Sequence, residues 1–444
     1  MKKIFSNRLL KEGINDSKYY LIANIGNKVL AFLVIPILAK SVGVKEFAIY
    51  DLFLVIGNFL NILVVLGVDS GIVILLTEAK EDNNRLSFLF VLSLAISISL
   101  IAIIFFILKS IFIFTSSLFL LNSYIWTLLI LYTLFRVISY HTFNFLRWRQ
   151  KAKEASFINL FSYILGMLVG LIFLFFEPKV VSYLEGLVVG MLIGAILALY
   201  LAKDYLFKFT IIDGAKDTIL ELLKLSLPFV PNYLGKSLMQ MADRVVILML
   251  FTQYELGIYA VITKLAMIPQ VIIGTISSGF LPVMFNNYKS EKGQALIRNF
   301  FHIYIALIPI FYIIADLFSY KAVEIFSNST YAKFSYLLPV ALASILFVQS
   351  SQANGLGYSI KRKTYYIMYI TFFTVAVNYI LSLIFGAWLG LFGVVFGTLI
   401  AGIIKTYLYT LYSEKLYPFN YNMRFILLIG VITTILSILT FIRV

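Results

Sequence analysis

The most informative shortages in this sequence are those of charged residues and of cysteine. Only 13% of its 444 residues are charged, whereas soluble proteins carry about 25%. Because a chain of this length cannot hide that deficit in a soluble core, we expect an integral membrane protein. The absence of cysteine excludes disulfides, iron–sulfur clusters and thiolate metal sites. The only two histidines, His141 and His302, lack a second ligand at metal-binding spacing and are predicted to be structural.

Sequence signatures of nucleotide binding and catalysis are also missing. The chain has no Walker P-loop, so it does not bind ATP through such a motif of its own. The segments between apolar runs are short and leave little room for an extracytoplasmic catalytic domain. The polar N-terminal tail runs into a long apolar segment without a cleavage site, so we predict no removable signal peptide. These features favour a protein that is not an enzyme.

Long apolar runs recur along the whole chain, and each can cross about 30 Å of hydrocarbon as a helix. Alternating strand patterns are absent. We therefore predict an all-α fold, a polytopic membrane helical bundle. The predicted spans are 18–39, 47–76, 86–108, 118–140, 157–176, 183–202, 219–250, 256–285, 297–316, 334–354, 365–385, 390–411 and 425–441.

The basic residues are distributed unequally between the two sides of the predicted bundle. The N-terminal tail and the segments on its side hold 22 lysines and arginines, and the opposite side holds 7. This asymmetry predicts a cytoplasmic N-terminus. The net charge of +15 is thereby explained by topology signals, and we predict no nucleic-acid partner. We expect the protein in a bacterial cytoplasmic membrane.

Three segments of the chain recur in the same order about 208 residues later, which indicates an internal duplication. The matching pairs are "ANIGNKVL" (23–30) with "PNYLGKSL" (231–238), "KEFAIY" (45–50) with "YELGIY" (254–259), and "EGLVVGMLIG" (185–194) with "FGVVFGTLIA" (392–401). Each copy contains six predicted spans, so both enter the membrane from the same side and form a parallel repeat about an axis along the membrane normal. The predicted halves are 1–212 and 213–412, followed by an extra span in 413–444.

Two lysines lie near the middle of predicted spans, where an ammonium group is costly. Lys28 is about ten residues, roughly 15 Å, from either end of its span, which is further than its side chain reaches. Such a charge costs at least about 2.5–3.5 kcal/mol. Lys236 is the repeat equivalent of Lys28, and Asn24 and Asn232 precede the two lysines by four residues. The repetition of a costly feature favours a functional role for both lysines.

Helical spacing extends the lysine of span 7 into a polar stripe. The stripe consists of Asn232, Lys236, Gln240 and then Asp243 or Arg244. Because lipid would leave these groups without partners, we expect them to face a water-filled cavity whose basic lining Lys264 and Lys405 extend. An excess of cations in such a cavity predicts an anionic ligand, for which lysine is a common phosphate-binding residue.

A structural alternative remains open for the intramembrane lysines. Lys28 could pair with Asp51 or Asp69, in which case the charges hold the bundle together and bind no ligand. Arg136 lies within two turns of an inner helix end, where its side chain could extend to the interface. Pro228 and Pro231 predict a break near the start of span 7, which could act as a hinge.

Two stretches carry a resemblance to a known family. They are "SKYYLIANIGNKVLAFLVIPILAKSVGVKEFAIYDLF" (17–53) and "LKLSLPFVPNYLGKSLMQMADRVVILMLFTQYELGIYAVITKLAMIPQ" (223–270). The chain resembles the Wzx-type polysaccharide flippases of the MATE/MOP exporter superfamily. The resemblance implies alternating access between two six-helix halves and a substrate of oligosaccharide on undecaprenyl diphosphate.

The resemblance also implies roles for particular residues and partners. Basic residues in spans 1, 7 and 8 would hold the anionic headgroup, which points to Lys28, Lys236 and Lys264, with Arg244 and Lys405 as further candidates. A proton or sodium ion would be the only cofactor, coupled through the candidate carboxylates Asp51, Asp69 and Asp243. Membrane lipid, a polysaccharide polymerase and chain-length machinery are the implied partners.

Three other functions remain open. A multidrug or cation exporter on the same fold would need a cavity dominated by carboxylates and aromatics, against which the lysine pair argues. A lipid II flippase would share the cationic cavity, and the sequence pattern separates it poorly from our first hypothesis. A membrane polysaccharide polymerase or ligase would need a large outer loop with paired arginines or a histidine, and the short outer segments argue against it.

Overall fold

The computed structural model of the protein describes residues 19, 23, 26–79, 82–110 and 121–443. Every regular element within these ranges is a helix, which confirms the predicted all-α class. In this part of the chain, nine helices are long and apolar enough to cross a membrane. They are Val44–Ala79, Asn83–Ile107, Ser123–Trp148, Ala152–Phe176, Val180–Leu201, Gln253–Gly274, Glu291–Phe326, Tyr365–Leu416 and Met423–Arg443. The protein is therefore a multi-pass membrane protein.

Within the described residues the helices overlap the predicted spans, but many of their ends differ by several residues, and short helices occur at the ends of some spans. In chain order they are α1 (26–41), α2 (Val44–Val65), α3 (Val68–Ala79), α4 (Asn83–Ser110), α5 (Ser123–Trp148), α6 (Ala152–Phe176), α7 (Val180–Leu201), α8 (Lys203–Phe207), α9 (Ala215–Ser226), α10 (Val230–Leu250), α11 (Gln253–Ala266), α12 (Ile268–Asn287), α13 (Glu291–Phe326), α14 (Ser329–Ala332), α15 (Leu337–Gln349), α16 (Ser351–Asn354), α17 (Leu356–Ile360), α18 (Tyr365–Leu416) and α19 (Met423–Arg443).

The chain divides into two compact units. Among the described residues, the first unit comprises those up to Val42 and those within Leu52–Leu234, and the second comprises Gly43–Asp51 and those from Gly235 onward. This division differs from the boundary predicted at residue 212, and it includes the predicted extra span 413–444 in the second unit. The predicted repeat of two six-helix halves stays a prediction.

Residues 43–51 belong to the second unit because they pack on α11. The Gln253 side-chain amide donates a hydrogen bond to the Lys45 carbonyl at 2.9 Å. Gly257 lies so close to the Val44 carbonyl that a Cβ atom would collide with it. The ring of Phe47 contacts Tyr331 edge-on. Residues 45–50 match 254–259 in the predicted repeat, but a sequence match between two segments does not predict that they pack in the same unit.

The second predicted span, 47–76, lies within the membrane-spanning stretch Val44–Ala79, which a break divides into α2 and α3. Leu66 and Gly67 both adopt left-handed backbone conformations, with φ of 52° and 71°, and they separate α2 from α3. A Cβ atom at Gly67 would collide with the Ser226 carbonyl of α9. The close approach of α9 therefore needs glycine at this break.

The glycine ladders, Gly186 and Gly190 in α7 and Gly393 and Gly397 in α18, are packing devices. In the first unit, Gly186 and Gly190 of α7 lie against the backbone of α6 at Val169 and Leu165, with no room for a Cβ atom. In the second unit, Gly393 and Gly397 lie against the backbone at Phe385 and Ser382. These contacts join the two halves of α18 on either side of the break at Gly390. Small residues let membrane helices approach until their backbones touch, and this contact replaces the hydrophobic driving force that lipid does not supply.

Predicted spans 11 and 12 are joined tightly within α18, where Gly390 alone departs from helical geometry with φ 65° and ψ −149°. The extra helix α19 packs against α13 and α18. Arg443 contributes an ion pair to Asp316 of α13, with an Nη2–Oδ1 distance of 2.7 Å. The predicted break near Pro228 is also confirmed, since residues Leu227–Phe229 form a single 3-10 turn before α10.

Candidate functional site

The second unit contains an ion cluster built on a completely buried carboxylate. Asp51, at the end of the segment that packs on α11, has 0% of its surface exposed. Its Oδ2 accepts a hydrogen bond from Arg244 Nε at 3.0 Å, and its Oδ1 lies 2.8 Å from Lys264 Nζ. The side chains of Arg244 and Lys264 are only 11% and 15% exposed. Two cations therefore share one anion, and the cluster keeps one net positive charge.

Aromatic rings support both cations of this cluster. Lys264 Nζ lies 5.6 Å from the ring centroid of Tyr50, and the guanidinium of Arg244 lies 5.1 Å from that of Tyr259. Tyr50 and Tyr259 are equivalent residues of the predicted repeat. Cation–π contacts of this kind are stronger where water is excluded. The cluster accounts for Asp51, which the sequence had suggested as a partner of Lys28.

Asp243 is the centre of a second polar cluster in the same unit. Its side chain is 4% exposed. One oxygen accepts a hydrogen bond from Tyr259 Oη at 2.5 Å, and the other accepts from Asn378 Nδ2 and Thr398 Oγ1, each at 2.9 Å. Ser382 Oγ extends the cluster with a hydrogen bond to Asn378 Oδ1 at 3.3 Å. The arrangement surrounds one carboxylate with two hydroxyl donors and one amide N–H donor, so both of its oxygens are hydrogen-bonded.

The sequence singled out Asp243 but missed the residues that surround it. Asn378 and Thr398 lie on α18, in predicted spans 11 and 12, and Tyr259 lies on α11. An amide in the middle of an apolar run is the same signal that drew attention to Asn232, so Asn378 could have been found. Among the described residues, no group of three or more histidines, aspartates and glutamates could hold a metal ion.

Lys236 and Lys405 form the remaining basic group of the second unit. Lys405 is buried, and its Nζ donates a hydrogen bond to the Val348 carbonyl at 3.1 Å. It lies close enough to Lys236 for their charges to repel. Lys236 and Gln240 are exposed on one face of α10. Within the described part of the chain, neither lysine forms an ion pair, so this group retains its positive charge.

A cavity of about 80 Å³ opens beside these clusters, within the second unit. It has room for on the order of five water molecules. Its polar lining consists of Gln240, Asp243, Arg244, Tyr259, Thr263, Gln270, Ser344, Gln349 and Thr398. The buried Oε1 of Gln270 has no hydrogen-bond partner among the described residues. A buried acceptor of this kind calls for a donor from water or a ligand.

The other predicted site residues belong to the first unit. Lys28 is exposed on α1 and forms no ion pair within the described ranges. Asp69 Oδ2 accepts a hydrogen bond from Tyr140 Oη at 2.8 Å. Asn232 has a buried Oδ1 without a hydrogen-bond partner in the described part of the chain. Asn24 lies outside the described residues, and the pairing of Lys28 with Lys236 stays a prediction.

Arg136 occupies a position that the sequence did not predict. Its Nη1 donates to Asn58 Oδ1 at 2.7 Å and to Tyr132 Oη at 3.4 Å, so the guanidinium group has polar partners within the first unit. It lines a cavity of about 40 Å³ together with Asn159 and Tyr163. The predicted structural role of the histidines agrees with their contacts, since His141 bonds Ser97 and His302 accepts from the Asn422 backbone.

Both the sequence and the fold of this chain are similar to those of known proteins. Residues 14–288 match the family described as polysaccharide biosynthesis protein. The fold is similar to an inward-facing multidrug resistance MATE family transporter of the MOP superfamily, with a TM-score of 0.69 and 18% identity over 88% of this chain and 95% of that one. It is also similar to the lipid II flippase MurJ in an inward closed conformation, with a TM-score of 0.70 and 18% identity over 95% of this chain and 91% of that one. No curated protein matches the sequence.

Proposed function

The chain belongs to the polysaccharide biosynthesis protein family and has the fold of the MOP exporter superfamily, and from this premise we propose that it moves undecaprenyl-diphosphate-linked oligosaccharides from the cytoplasmic to the outer leaflet. The transport would proceed by alternating access in a bacterial cytoplasmic membrane, with the N-terminus in the cytoplasm. The saccharide and diphosphate would occupy a cationic cavity, and the polyprenyl chain would stay in lipid.

The excess of positive charge in the second unit is the observation that supports this proposal. Asp51 leaves its two cations with one net charge, and Lys236 and Lys405 have no acidic partner among the described residues. Uncompensated cations at membrane depth are costly, so they are retained where an anion binds them. A diphosphate supplies that anion, and each lysine–phosphate contact is a strong, charge-assisted hydrogen bond.

The binding residues in this proposal are those that carry or flank the positive charge. Lys236 and Lys264 would contact the diphosphate together with Lys28 of the first unit, and Arg244 and Lys405 would complete the basic lining. The amides Gln240 and Asn232, with Asn24 as the repeat equivalent of the latter, would bind saccharide hydroxyls. A polysaccharide polymerase and chain-length machinery would receive the product on the outer side.

The Asp243 cluster is our candidate for coupling to an ion gradient. It combines a buried carboxylate with hydroxyl and amide groups from Tyr259, Asn378 and Thr398, and a proton or a sodium ion would be carried there as a co-substrate. Asp51 is less suited to this role because Arg244 and Lys264 already neutralise it. Asp69 accepts a hydrogen bond from the Tyr140 phenol and remains a second candidate.

Reconstituted transport tests the proposal directly. We expect the Lys28→Ala, Lys236→Ala double variant to flip lipid-linked oligosaccharide at least about tenfold more slowly, because each lost charge-assisted bond costs roughly 1.5–3 kcal/mol. Lys321→Ala is the matched control, since Lys321 is an exposed lysine whose ammonium group pairs with Glu324. Equal rates for the double variant and the control, with both proteins folded, would show that the two lysines do not bind the headgroup.

A lipid II flippase is the second candidate, and the similarity to MurJ is the observation that favours it. Both substrates carry a diphosphate, so the cationic cavity serves either. The two functions differ in the saccharide, because lipid II carries a peptide. Parallel assays with lipid II and with a peptide-free lipid-linked oligosaccharide separate them: faster transport of the peptide-free substrate supports our first proposal, and faster transport of lipid II replaces it.

A further inference from the structure

Tyr259 contacts both charged clusters of the second unit, and it does so with two different parts of its side chain. The phenolic hydroxyl donates a hydrogen bond to Asp243. The face of the ring lies 5.1 Å from the guanidinium carbon of Arg244. The whole side chain is buried, with 4% of its surface exposed. It therefore lies between the carboxylate proposed to carry the coupling ion and a cation proposed to bind the headgroup.

The local sequence explains how one residue reaches both clusters. Asp243 and Arg244 are neighbours on α10, so their side chains leave the helix about 100° apart. Arg244 bonds Asp51 and also donates from Nη1 to the Gln240 carbonyl at 2.8 Å. Tyr259 lies two turns into α11, whose start is fixed by a capping box between Thr252 and Glu255. The anchored helix places the phenol in the gap between the two diverging side chains.

We propose that Tyr259 is the positioning residue that couples the occupancy of Asp243 to the electrostatic state of the Arg244–Asp51–Lys264 cluster. This inference rests on the proposed function, in which Asp243 carries the ion and the cluster binds the headgroup. While Asp243 is anionic, the phenol occupies one of its oxygens and holds Arg244 on Asp51 by contact with the ring. When a proton or cation neutralises Asp243, that oxygen is a weaker acceptor, the phenol is released, and Arg244 gains freedom to turn toward an anionic ligand.

The consequence for transport is a linkage between ion and substrate. Two sites that share a bistable contact change each other's affinity by the same factor. Neutralisation of Asp243 also removes a negative charge near Arg244, which adds to the positive potential in the cavity. The release of Arg244 and the loss of the Asp243 charge both favour tighter binding of an anion when Asp243 is occupied.

The absence of cysteine allows a test that needs no substrate. A single cysteine introduced by Gln240→Cys faces the exposed side of α10 and keeps the backbone carbonyl that Arg244 binds. The ratio of its modification rates by an anionic and a cationic methanethiosulfonate reagent measures the local potential. Adding Asp243→Asn, which removes the charge of Asp243, should raise this ratio by about fivefold or more, the lower range of typical coupling between sites.

The decisive comparison is the same charge removal in the presence of Tyr259→Phe. This change keeps the ring under Arg244 but deletes the hydroxyl, and we expect the response to Asp243→Asn to fall to the part that the lost charge contributes directly, which does not depend on Tyr259. Tyr304→Phe is the matched control, because it deletes another buried hydroxyl, bonded to the Leu346 carbonyl at 2.6 Å. If Asp243→Asn does not yield monodisperse protein, Asp243→Ser removes the same charge.

The possible results separate this inference from the proposed function. An undiminished response in Tyr259→Phe, or no response in the otherwise unchanged chain, overturns the coupling role of Tyr259 whether or not the protein flips its substrate. A response that Tyr259→Phe clearly reduces and Tyr304→Phe leaves unchanged supports it. The flipping assay with Lys28 and Lys236 variants fails or succeeds independently of these labelling ratios.

Discussion

Replacement of Asp51 by asparagine is the sharpest test of the ion cluster. The substitution keeps the shape of the side chain and removes its charge, which leaves Arg244 and Lys264 without a counterion. Asp51 is fully buried and its two partners are nearly so. Removing one member of a buried ion pair costs about 3–5 kcal/mol, because the remaining charge is stranded away from water. We therefore expect Asp51→Asn to lower the free energy of unfolding by that amount.

Removing all three charged members of the cluster should restore the stability that Asp51→Asn loses. Replacing all three members by apolar residues of similar size, Asp51→Leu with Arg244→Met and Lys264→Met, removes the desolvation penalty together with the attraction. Such replacements of whole buried clusters are often neutral or stabilising by about 1–4 kcal/mol. The triple variant should therefore be more stable than Asp51→Asn, and it should have lost headgroup binding.

Reversible unfolding in bicelles, followed by steric trapping, measures these differences. Glu324→Gln provides the matched control, because it also converts an acid to its amide in an ion pair, but with Lys321 at an exposed site. Loss of the Lys321–Glu324 ion pair should lower the free energy of unfolding by less than about 1 kcal/mol. A cost below about 1 kcal/mol for Asp51→Asn as well would mean that the cluster is solvated and would refute the argument from burial.

Three further predictions address packing and polar contacts elsewhere. Gly190→Ala should destabilise the first unit by about 1–3 kcal/mol through overpacking against α6, whereas Gly43→Ala, which meets no atom within 4 Å, should be close to neutral in the same unfolding assay. Asn58→Leu should cost about 1–3 kcal/mol, because Arg136 loses its nearest acceptor, and thermal denaturation in detergent should show the loss. Arg443→Gln should cost at most about 1 kcal/mol, since the arginine is 61% exposed, and a larger loss by steric trapping would contradict a surface pair.

The two ion clusters of the second unit have different charges, which agrees with separate sites for the headgroup and for the coupling ion. The Asp51 cluster keeps a net positive charge beside the cavity, and the Asp243 cluster provides a protected carboxylate next to Arg244 on α10. Tyr259 is the contact between them. A cation site and an anion site that share one residue can be linked without any change of fold, since only side-chain contacts need to alter.

Much of this architecture follows from local chemistry in the sequence. Apolar runs long enough to cross a bilayer determine the helices, because backbone groups in lipid must bond within their own segment. Glycine ladders identify close helix contacts, and the lysines stand out because charge at membrane depth is costly. The segments around Lys28 and Lys236 were also enough to recognise the family, which the match over residues 14–288 confirms.

Contacts between distant residues could be decided only by the tertiary structure. Asp51 binds Arg244, 193 residues away, where the sequence offered Lys28 as a partner, because pairing depends on which helices pack and not on how residues are spaced along one of them. The break at Leu66 and Gly67 arises from the close approach of α9, which no local pattern records. Asp243 was visible as an intramembrane acid, but its donors come from three positions on two other helices, and only packing brought Tyr259, Asn378 and Thr398 to it.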